Sequence, residues 1–376
     1  MIRLRAIKGH MGSIDYYMTT ATFGEIARIV RYKEDAKGWP VELRQQRPLN
    51  MTRVRNDMVP YLTGHPDHFY NALVVEHVRP GGIDHVIKFV PDANDATVGW
   101  IQLEASETLE ALDGQHRLRS IELAVEESPD LARETIGLVV VPHRTVATSQ
   151  QLFSDLNRNA KPTPKSLNIL FEHREQTALL AKELATRSKY LAGKVNMTGS
   201  SLSGKSPYVV TISTLYEAVR IVEPVISGET FGDKATDLIA FWDSVFGTLP
   251  GAEDLLSGDL KPGAMRKKYV YATGLGFEAL AEVAKVVRTQ YPGKWKAVLA
   301  EGLPRVKWSL GDTQWEGVAT IAGRVAVARA PRRLTATLIK YLLKLPVDEK
   351  HLSELKETYT KLKRTLPVPV LAPDDV

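Results

Sequence analysis

Residues 109–117 read Leu109-Glu110-Ala111-Leu112-Asp113-Gly114-Gln115-His116-Arg117, and the fold turns on how that stretch is parsed. The apolar run ending at Leu112 has the character of a buried strand. Asp113-Gly114 breaks it, and from Leu118 to about Ala124 the pattern becomes that of an amphipathic helix. A strand that stops at a glycine turn and opens a helix leaves several backbone N–H groups unpaired where the macrodipole is positive. With Arg117 and Arg119 in the first turns, such a junction is built to hold an anion such as a phosphate. Asp113 acting only as an N-cap and Gly114 only as a tight turn would explain part of the pattern. The concentration of polar residues goes further, and Asp113, Gly114, Gln115, His116, Arg117 and Arg119 form a candidate phosphate or nucleotide site.

Upstream and just downstream, short strand-like runs alternate with helical ones. Strands are expected at Leu4–Lys8, Tyr16–Thr19, Asn71–Val78, Val86–Val90, Gly99–Leu103, Thr108–Leu112 and Ile136–Val141. Helices are expected at Phe23–Tyr32, Arg53–Thr63, His116–Glu127 and Ser149–Asn157. Pro80-Gly81-Gly82 reads as a hairpin turn joining Asn71–Val78 to Val86–Val90. After Pro164 helical periodicity takes over, in Ser166–Arg187, Val209–Ile226, Ala235–Phe246, Val270–Thr289, Gln314–Ala328, Leu334–Leu345 and His351–Lys363. The expected architecture is α+β: a mixed α/β domain over residues 1–165, an α-helical domain over 166–366 and a loose tail over 367–376.

The composition, 44% hydrophobic and 25% charged over 376 residues, is that of an ordinary globular protein. The absence of cysteine excludes disulfides, thiolate catalysis, iron–sulfur clusters and cysteine-ligated zinc. No apolar run reaches membrane-spanning length and no signal-peptide pattern opens the chain, so a cytoplasmic, membrane-free protein is expected. The net charge of +5 says less than its distribution. Arg44, Arg47, Arg53 and Arg55 fall between Leu43 and Asn56 without an acid, and Arg158, Lys161 and Lys165 repeat the pattern. Arg266-Lys267-Lys268, Arg332-Arg333 and Lys361 to Arg364 add further groups. Spaced basic clusters suit a polyanion, since each phosphate contact releases a counterion; taken singly, each also suits a solvated surface.

A second constellation closes the first half. Gln150 to Leu156 reads as a helix, followed by Asn157-Arg158-Asn159 and Lys161-Pro162. Asparagine tolerates the left-handed geometry of a helix end, and amides beside cations suit a phosphate or a nucleobase. Gly199 to Ser206 matches the letters of a phosphate-binding P-loop. However, no buried strand precedes it, and Pro207 biases Ser206 away from helix, so it reads as a flexible polar loop. The nine histidines show no metal spacing. His65, His68, His77 and His85 read as surface residues, and His116 alone sits among other candidate site residues.

Several motifs in this order resemble the DndB family of DNA sulfur-modification (phosphorothioation) proteins. They are Ala6 to Gly9 with Tyr16-Tyr17, Glu42 to Asn50, Asp113 to Arg117, Phe153 to Arg158, and Lys165 to Asn168. Together they span about residues 1–225. More distantly, the first half resembles the ParB/sulfiredoxin fold, in which a glycine–arginine turn opening a helix binds nucleotide phosphates and an Asn/Arg box completes the pocket. Gly114, His116 and Arg117 match the turn, and Asn157-Arg158-Asn159 the box. Gln115 stands where the sulfiredoxin reaction uses a cysteine, so that chemistry is excluded.

The resemblance implies a DNA-binding repressor or accessory factor encoded with a phosphorothioation system, acting on double-stranded promoter DNA as a homo-oligomer. Arg44, Arg47, Arg53, Arg55, Lys161 and Lys165 are then the expected DNA contacts, with Gln314–Leu345 the nearest approach to a helix-turn-helix. A nucleotide-triphosphate hydrolase or nucleotide-gated switch is the alternative. It would take ATP or CTP with Mg²⁺, with Arg117 on the phosphates and Asp113 or Asn157 supporting the metal. A nuclease built on His116 and Asp113 ranks third, for want of paired carboxylates.

Overall fold

The computed structural model describes residues 2–31, 49–78, 87–104, 107–158, 163–326 and 329–370, with backbone alone at 146, 157, 158 and 329. The chain divides into two compact units, residues 1–161 and 162–376.

The first unit is built on one eight-stranded mixed sheet. Its strands are β1 (Ile2–Met11), β2 (Ile14–Thr22), β3 (Val30–Arg31), β4 (Leu73–Val78), β5 (Phe89–Asp92), β6 (Asp95–Leu103), β7 (Thr108–Asp113) and β8 (Thr135–Pro142). They run in the spatial order β3-β7-β4-β8-β2-β1-β6-β5. β4 lies between β7, which it meets antiparallel, and β8, which it meets parallel. The expected hairpin between Asn71–Val78 and Val86–Val90 is therefore not formed, because β5 pairs with β6 instead. The Pro80-Gly81-Gly82 turn itself lies outside the described residues.

Period-2 burial sets the sheet's faces. Leu4 and Ala6 of β1, Ile101 and Leu103 of β6, Leu138 and Val140 of β8, and Leu109 and Ala111 of β7 are all buried. Three helices supply the matching apolar stripes. In α1 (Phe23–Ile29) a Thr22/Glu25 capping box fixes the start, with Glu25 N–H donating to Thr22 Oγ1 at 3.1 Å and Thr22 N–H to Glu25 Oε2 at 2.8 Å.

Helix α2 covers residues 51–64 and contains a π turn at Val54–Met58. Pro60 explains the turn: it has no N–H to donate, and its ring would strike the carbonyl one turn back in a regular helix. One extra residue in the preceding turn relieves both problems, with Val59 N–H reaching Val54 O. Helix α3 (Gln115–Glu127) buries Leu118, Ile121 and Ala124. On the opposite face of β4 and β7, Glu76 and Glu110 stand across from each other, and Ser149 of helix α4 (Val146–Arg158) donates to Glu76.

The second unit is helical. It comprises α5 (Lys165–Phe171), α6 (Gln176–Arg187), α7 (Ile212–Val222), α8 (Phe231–Gly247), α9 (Ala252–Ser257), α10 (Pro262–Lys268), α11 (Gly274–Gln290), α12 (Trp295–Gly302), α13 (Arg329–Leu342) and α14 (Glu349–Lys361). Two two-stranded ladders join them: β9 (Val195–Asn196) with β10 (Val210–Thr211), and β11 (Thr320–Ile321) with β12 (Arg324–Val325). Helix α11 packs against α7 and α13, and Trp242, Phe246 and Phe277 stack in the buried centre.

Several expectations change here. Ser166–Arg187 is two helices, because Glu172 accepts from the N–H groups of Arg174 and Glu175 and ends the first. As far as Ala326, where the described residues break off, the expected Gln314–Ala328 helix is instead a 3₁₀ turn followed by the β11–β12 ladder, which removes the helix-turn-helix candidate. The tail is docked as far as Val370, whose N–H donates to Leu342 O at 2.8 Å. The P-loop letters at 199–206 lie in turns with no helix directly after Ser206, and the Arg266 guanidinium pins the carbonyls of Ser203, Ser206 and Tyr208.

Candidate functional site

Strand β7 ends at Asp113, Gly114 takes φ +95°, and α3 begins at Gln115. The glycine is required twice over. Its dihedral lies in the left-handed region, and a Cβ there would sit 2.4 Å from Leu73 Cδ2 and 3.1 Å from the Arg117 guanidinium carbon. Gly114 is the N-cap residue and no side chain caps the helix, so the first-turn N–H groups have no side-chain acceptor. Asp113, read from sequence as a possible cap, instead accepts from Arg117 Nη2 at 2.6 Å.

These groups open onto a cleft of about 440 Å³ lined by residues 112–117, Arg53, Met58, Tyr70 and Phe153. The lining combines polar groups, those of the DGQHR turn and Arg53, with the apolar and aromatic side chains of Met58, Leu112, Tyr70 and Phe153. Four elements meet there: the β7–α3 junction, α2, the segment before β4, and α4.

His116 ties two of them together. Its Nε2 accepts the backbone N–H of Asn50 at 3.0 Å, which requires a neutral ring with the proton on Nδ1. Burial, and then the charge of Arg53, hold its pKa below the usual histidine value, consistent with that tautomer. Asn50 in turn caps α2, its Oδ1 accepting Arg53 N–H at 3.1 Å. The N-terminal ends of α2 and α3 are thereby brought side by side, with exposed Arg53 on the first and the uncapped amides on the second.

Arg117 is more constrained than its sequence position suggests. Nη1 donates to Ala72 O at 2.8 Å and to Asn71 O at 2.7 Å, and also to Asn71 Oδ1, while Nη2 holds Asp113. It lines the cleft, but its bonds lock the strand–turn–helix junction to the start of β4. Tyr70, pushed up by burial, shares its hydroxyl with Ser120 Oγ at 3.2 Å.

The other expected site residues are distributed differently. Arg119 pairs with Glu122 at 2.7 Å and does not line the cleft. Arg55 is exposed on α2, also outside the cleft lining. Phe153 lines the cleft from α4; Asn157 follows one turn later on that helix and Arg158 ends it, the side chains of both lying outside the described residues. Arg44, Arg47, Asn159 and Lys161 also fall outside them. Lys165, in the second unit, pairs with Glu217 and lies 5.1 Å from the Tyr216 ring centroid.

Sequence reading also missed a buried polar group beside β4. His77, expected at the surface, is 1% exposed and lies 3.3 Å from Glu107. His143 Nδ1 lies 3.0 Å from Glu76 Oε1 and 3.2 Å from Ser149 Oγ. The signal was Glu76-His77 inside an otherwise aliphatic strand. Serine and carboxylate face the same imidazole nitrogen, so no proton relay through the ring connects them.

A family profile described as DNA-sulfur modification-associated, DndB, matches residues 4–346. The chain belongs to the DndB family. The match extends well beyond residues 1–225, where the sequence motifs lie, and takes in the helical unit through the start of the segment after α13. As a DndB-family protein the chain is associated with DNA sulfur modification. Comparison with curated proteins and with solved structures returns no significant match. Among the described residues of this DndB-family chain, no helix is long and apolar enough to cross a membrane, and no cluster of three His, Cys, Asp or Glu side chains is arranged to hold a metal ion.

Proposed function

We propose that this DndB-family protein is a DNA-binding regulator or accessory factor of a phosphorothioate modification system, and that its DGQHR cleft holds a phosphate group. The observation that carries the reading is the convergence of two helix N-termini and Arg53 on one open cleft, fixed by the His116–Asn50 bond. Uncapped first-turn amides and an exposed arginine are donors of the geometry a phosphate accepts. The ParB-like reading of the first unit is supported by this glycine-turn cleft, and Arg53, Arg55, Arg44 and Arg47 remain the proposed duplex contacts, in a homo-oligomer bound to promoter DNA.

The test is binding of the full chain to labelled duplex from upstream of the modification genes, measured by fluorescence anisotropy across a salt series. Affinity should fall steeply with salt, and Arg53→Ala with Arg55→Ala should weaken binding and flatten the slope by about two charges. Binding that is indifferent to salt and to both substitutions would overturn the reading.

A second reading, nucleotide binding with ATP or CTP as ligand, is favoured by the mixed lining of the cleft. Its polar groups suit phosphates, and Tyr70, Phe153, Met58 and Leu112 suit a base. The fit to Mg²⁺ is poorer, since Asp113 is the one carboxylate among the described lining residues and already holds Arg117. Hydrolysis assays with ATP, CTP and GTP separate a switch that binds without turnover from an enzyme.

A further inference from the structure

The stretch that sequence periodicity assigns to a helix, Gln314–Ala328, instead carries a short ribbon. Thr320 pairs with Val325 and Ile321 with Arg324, so the turn between them has only two residues, Ala322 and Gly323. Both are left-handed, at φ +51° and +71°, as a type I′ hairpin turn requires. Ala322 is strained there, and the strain is held by one side chain. Glu316 accepts Ala322 N–H on Oε1 at 2.6 Å, and on Oε2 Gly323 N–H at 3.3 Å and Thr320 Oγ1 at 3.0 Å.

This braced turn leads away from a packed base. Val318, Ala319, Thr320 and Ala326 are buried, while every residue from Ile321 to Val325 is exposed. Ile321 is 59% exposed, and Val325, two residues from the turn on the paired strand, is 36% exposed. Next to it, Arg324 has no carboxylate partner among the described residues. From Gly317 to Val347 the sequence holds six cations (Arg324, Arg329, Arg332, Arg333, Lys340, Lys344) and no acid. Arg332 pairs with Glu278 and Arg333 with Glu354, so the cation presented at the tip is Arg324, with the half-buried Glu316 carboxylate taken up by the turn amides beneath it.

The basic group at Lys361–Arg364 lies against the same base. Leu362 approaches Gly317 so closely that a Cβ there would be 2.5 Å from its Cδ1, and Arg364 Nη1 donates to Thr313 O at 2.8 Å. Lys361 pairs with Glu357, leaving exposed Lys363 and Arg364 beside the ribbon.

We propose that the β11–β12 hairpin is a DNA-contacting element that enters the minor groove, with Ile321 as an apolar wedge and Arg324 as its cation, while Lys363 and Arg364 meet flanking phosphates. This rests on the reading of the protein as a duplex binder but assigns a site in the helical unit, apart from the DGQHR cleft. Two features favour this partner. An aliphatic side chain beside an arginine is the chemistry that reads and opens the minor groove. The exposed tip is also only five residues long, which suits a groove about 6 Å wide but not the roughly 1,000 Å² that stable self-association needs.

The experiment is fluorescence anisotropy of the full chain on an A·T-rich duplex, with Arg324→Ala, Ile321→Ala and Arg324→Lys, and with netropsin, a small minor-groove ligand, as competitor. Circular dichroism and size-exclusion profiles of each variant accompany it. Arg324→Ala and Ile321→Ala should each weaken binding on the order of ten-fold, Arg324→Lys should recover part of the loss, and netropsin should displace the wild type. Variants that bind within about two-fold of wild type, or wild-type binding insensitive to netropsin, would overturn the proposal. So would a shift in oligomeric state with DNA affinity unchanged, which would make the tip a contact between copies. If Arg53→Ala with Arg55→Ala weakens binding but Arg324→Ala does not, only the hairpin assignment fails. If the wild type binds no duplex, the proposed function fails with it.

Discussion

Replacing Gly114 with alanine tests the junction on which the candidate site is built. The new Cβ would lie 2.4 Å from Leu73 Cδ2 and 3.1 Å from the Arg117 guanidinium. Leu73 is fully buried in β4, so it has nowhere to move without displacing its neighbours. Two costs add. Left-handed backbone costs an L-residue about 1–2 kcal/mol, and forcing a methyl into a filled core costs about 1–3 kcal/mol. Gly114→Ala should therefore destabilise the first unit by about 2–5 kcal/mol. Gly12, in the β1–β2 turn, supplies the control: its φ is +60° and nothing lies within 4 Å of its would-be Cβ. Gly12→Ala carries only the backbone strain, about 1–2 kcal/mol. Hydrogen exchange of amides in β7 and α3 reads the first unit directly. Protection there should fall by about thirty-fold or more in Gly114→Ala, and by clearly less in Gly12→Ala. A double-mutant cycle with Leu73→Ala should show the Gly114 effect shrinking once Cδ2 is gone. Equal losses for the two glycines, with no coupling to Leu73, would refute the view that this turn is sterically locked.

Further outcomes follow from the same geometry. His116 is held below its usual pKa, so the folded state binds fewer protons than the unfolded chain as pH falls below about 6.5. The stability present above that value is lost as pH falls through the folded pKa. An NMR titration should show His116 protonating below pH 6.5 together with a shift of the Asn50 amide. His116→Gln should flatten that part of the stability profile. Arg117→Ala should be mainly structural: it leaves Asp113 and the carbonyls of Asn71 and Ala72 without their donor, and should cost about 2–4 kcal/mol, read by the same exchange measurement. Arg53→Ala, on an exposed side chain, should change stability by less than about 0.5 kcal/mol while weakening phosphate or duplex binding.

The parts of the first unit that were legible in sequence are those that depend on near neighbours. The change from strand character to helical period at Asp113-Gly114 predicts the turn, and the structure has it, with Gly114 in the left-handed region. Strand partners are another matter. Asn71–Val78 and Val86–Val90 flank a glycine-rich turn, yet β4 finds its partners in β7 and β8, because burying both of its faces outweighs a convenient turn. In the second unit Thr320-Ile321-Ala322-Gly323-Arg324-Val325 is too short to show a period of two, and the alanines around it imitate a helix. What decides the conformation is Glu316, whose carboxylate replaces the ladder the turn is too short to provide.

The same distinction separates the two conspicuous basic residues of the site. Arg117 stands in the signature and reads as the phosphate ligand, but its acceptors at Asn71 and Ala72 are more than forty residues away in sequence and leave no local trace. Arg53 looks like one member of a diffuse basic run. It becomes part of the cleft where Asn50, which caps its helix, docks on His116. A guanidinium whose Nη1 alone meets two carbonyls and an amide oxygen can move toward a ligand only by breaking those bonds, each worth about 1.5–3 kcal/mol at a charged donor. An exposed one gives up only water. On the proposed reading, an incoming phosphate would therefore gain more from Arg53 and the uncapped amides of α3, with Arg117 holding those amides in place.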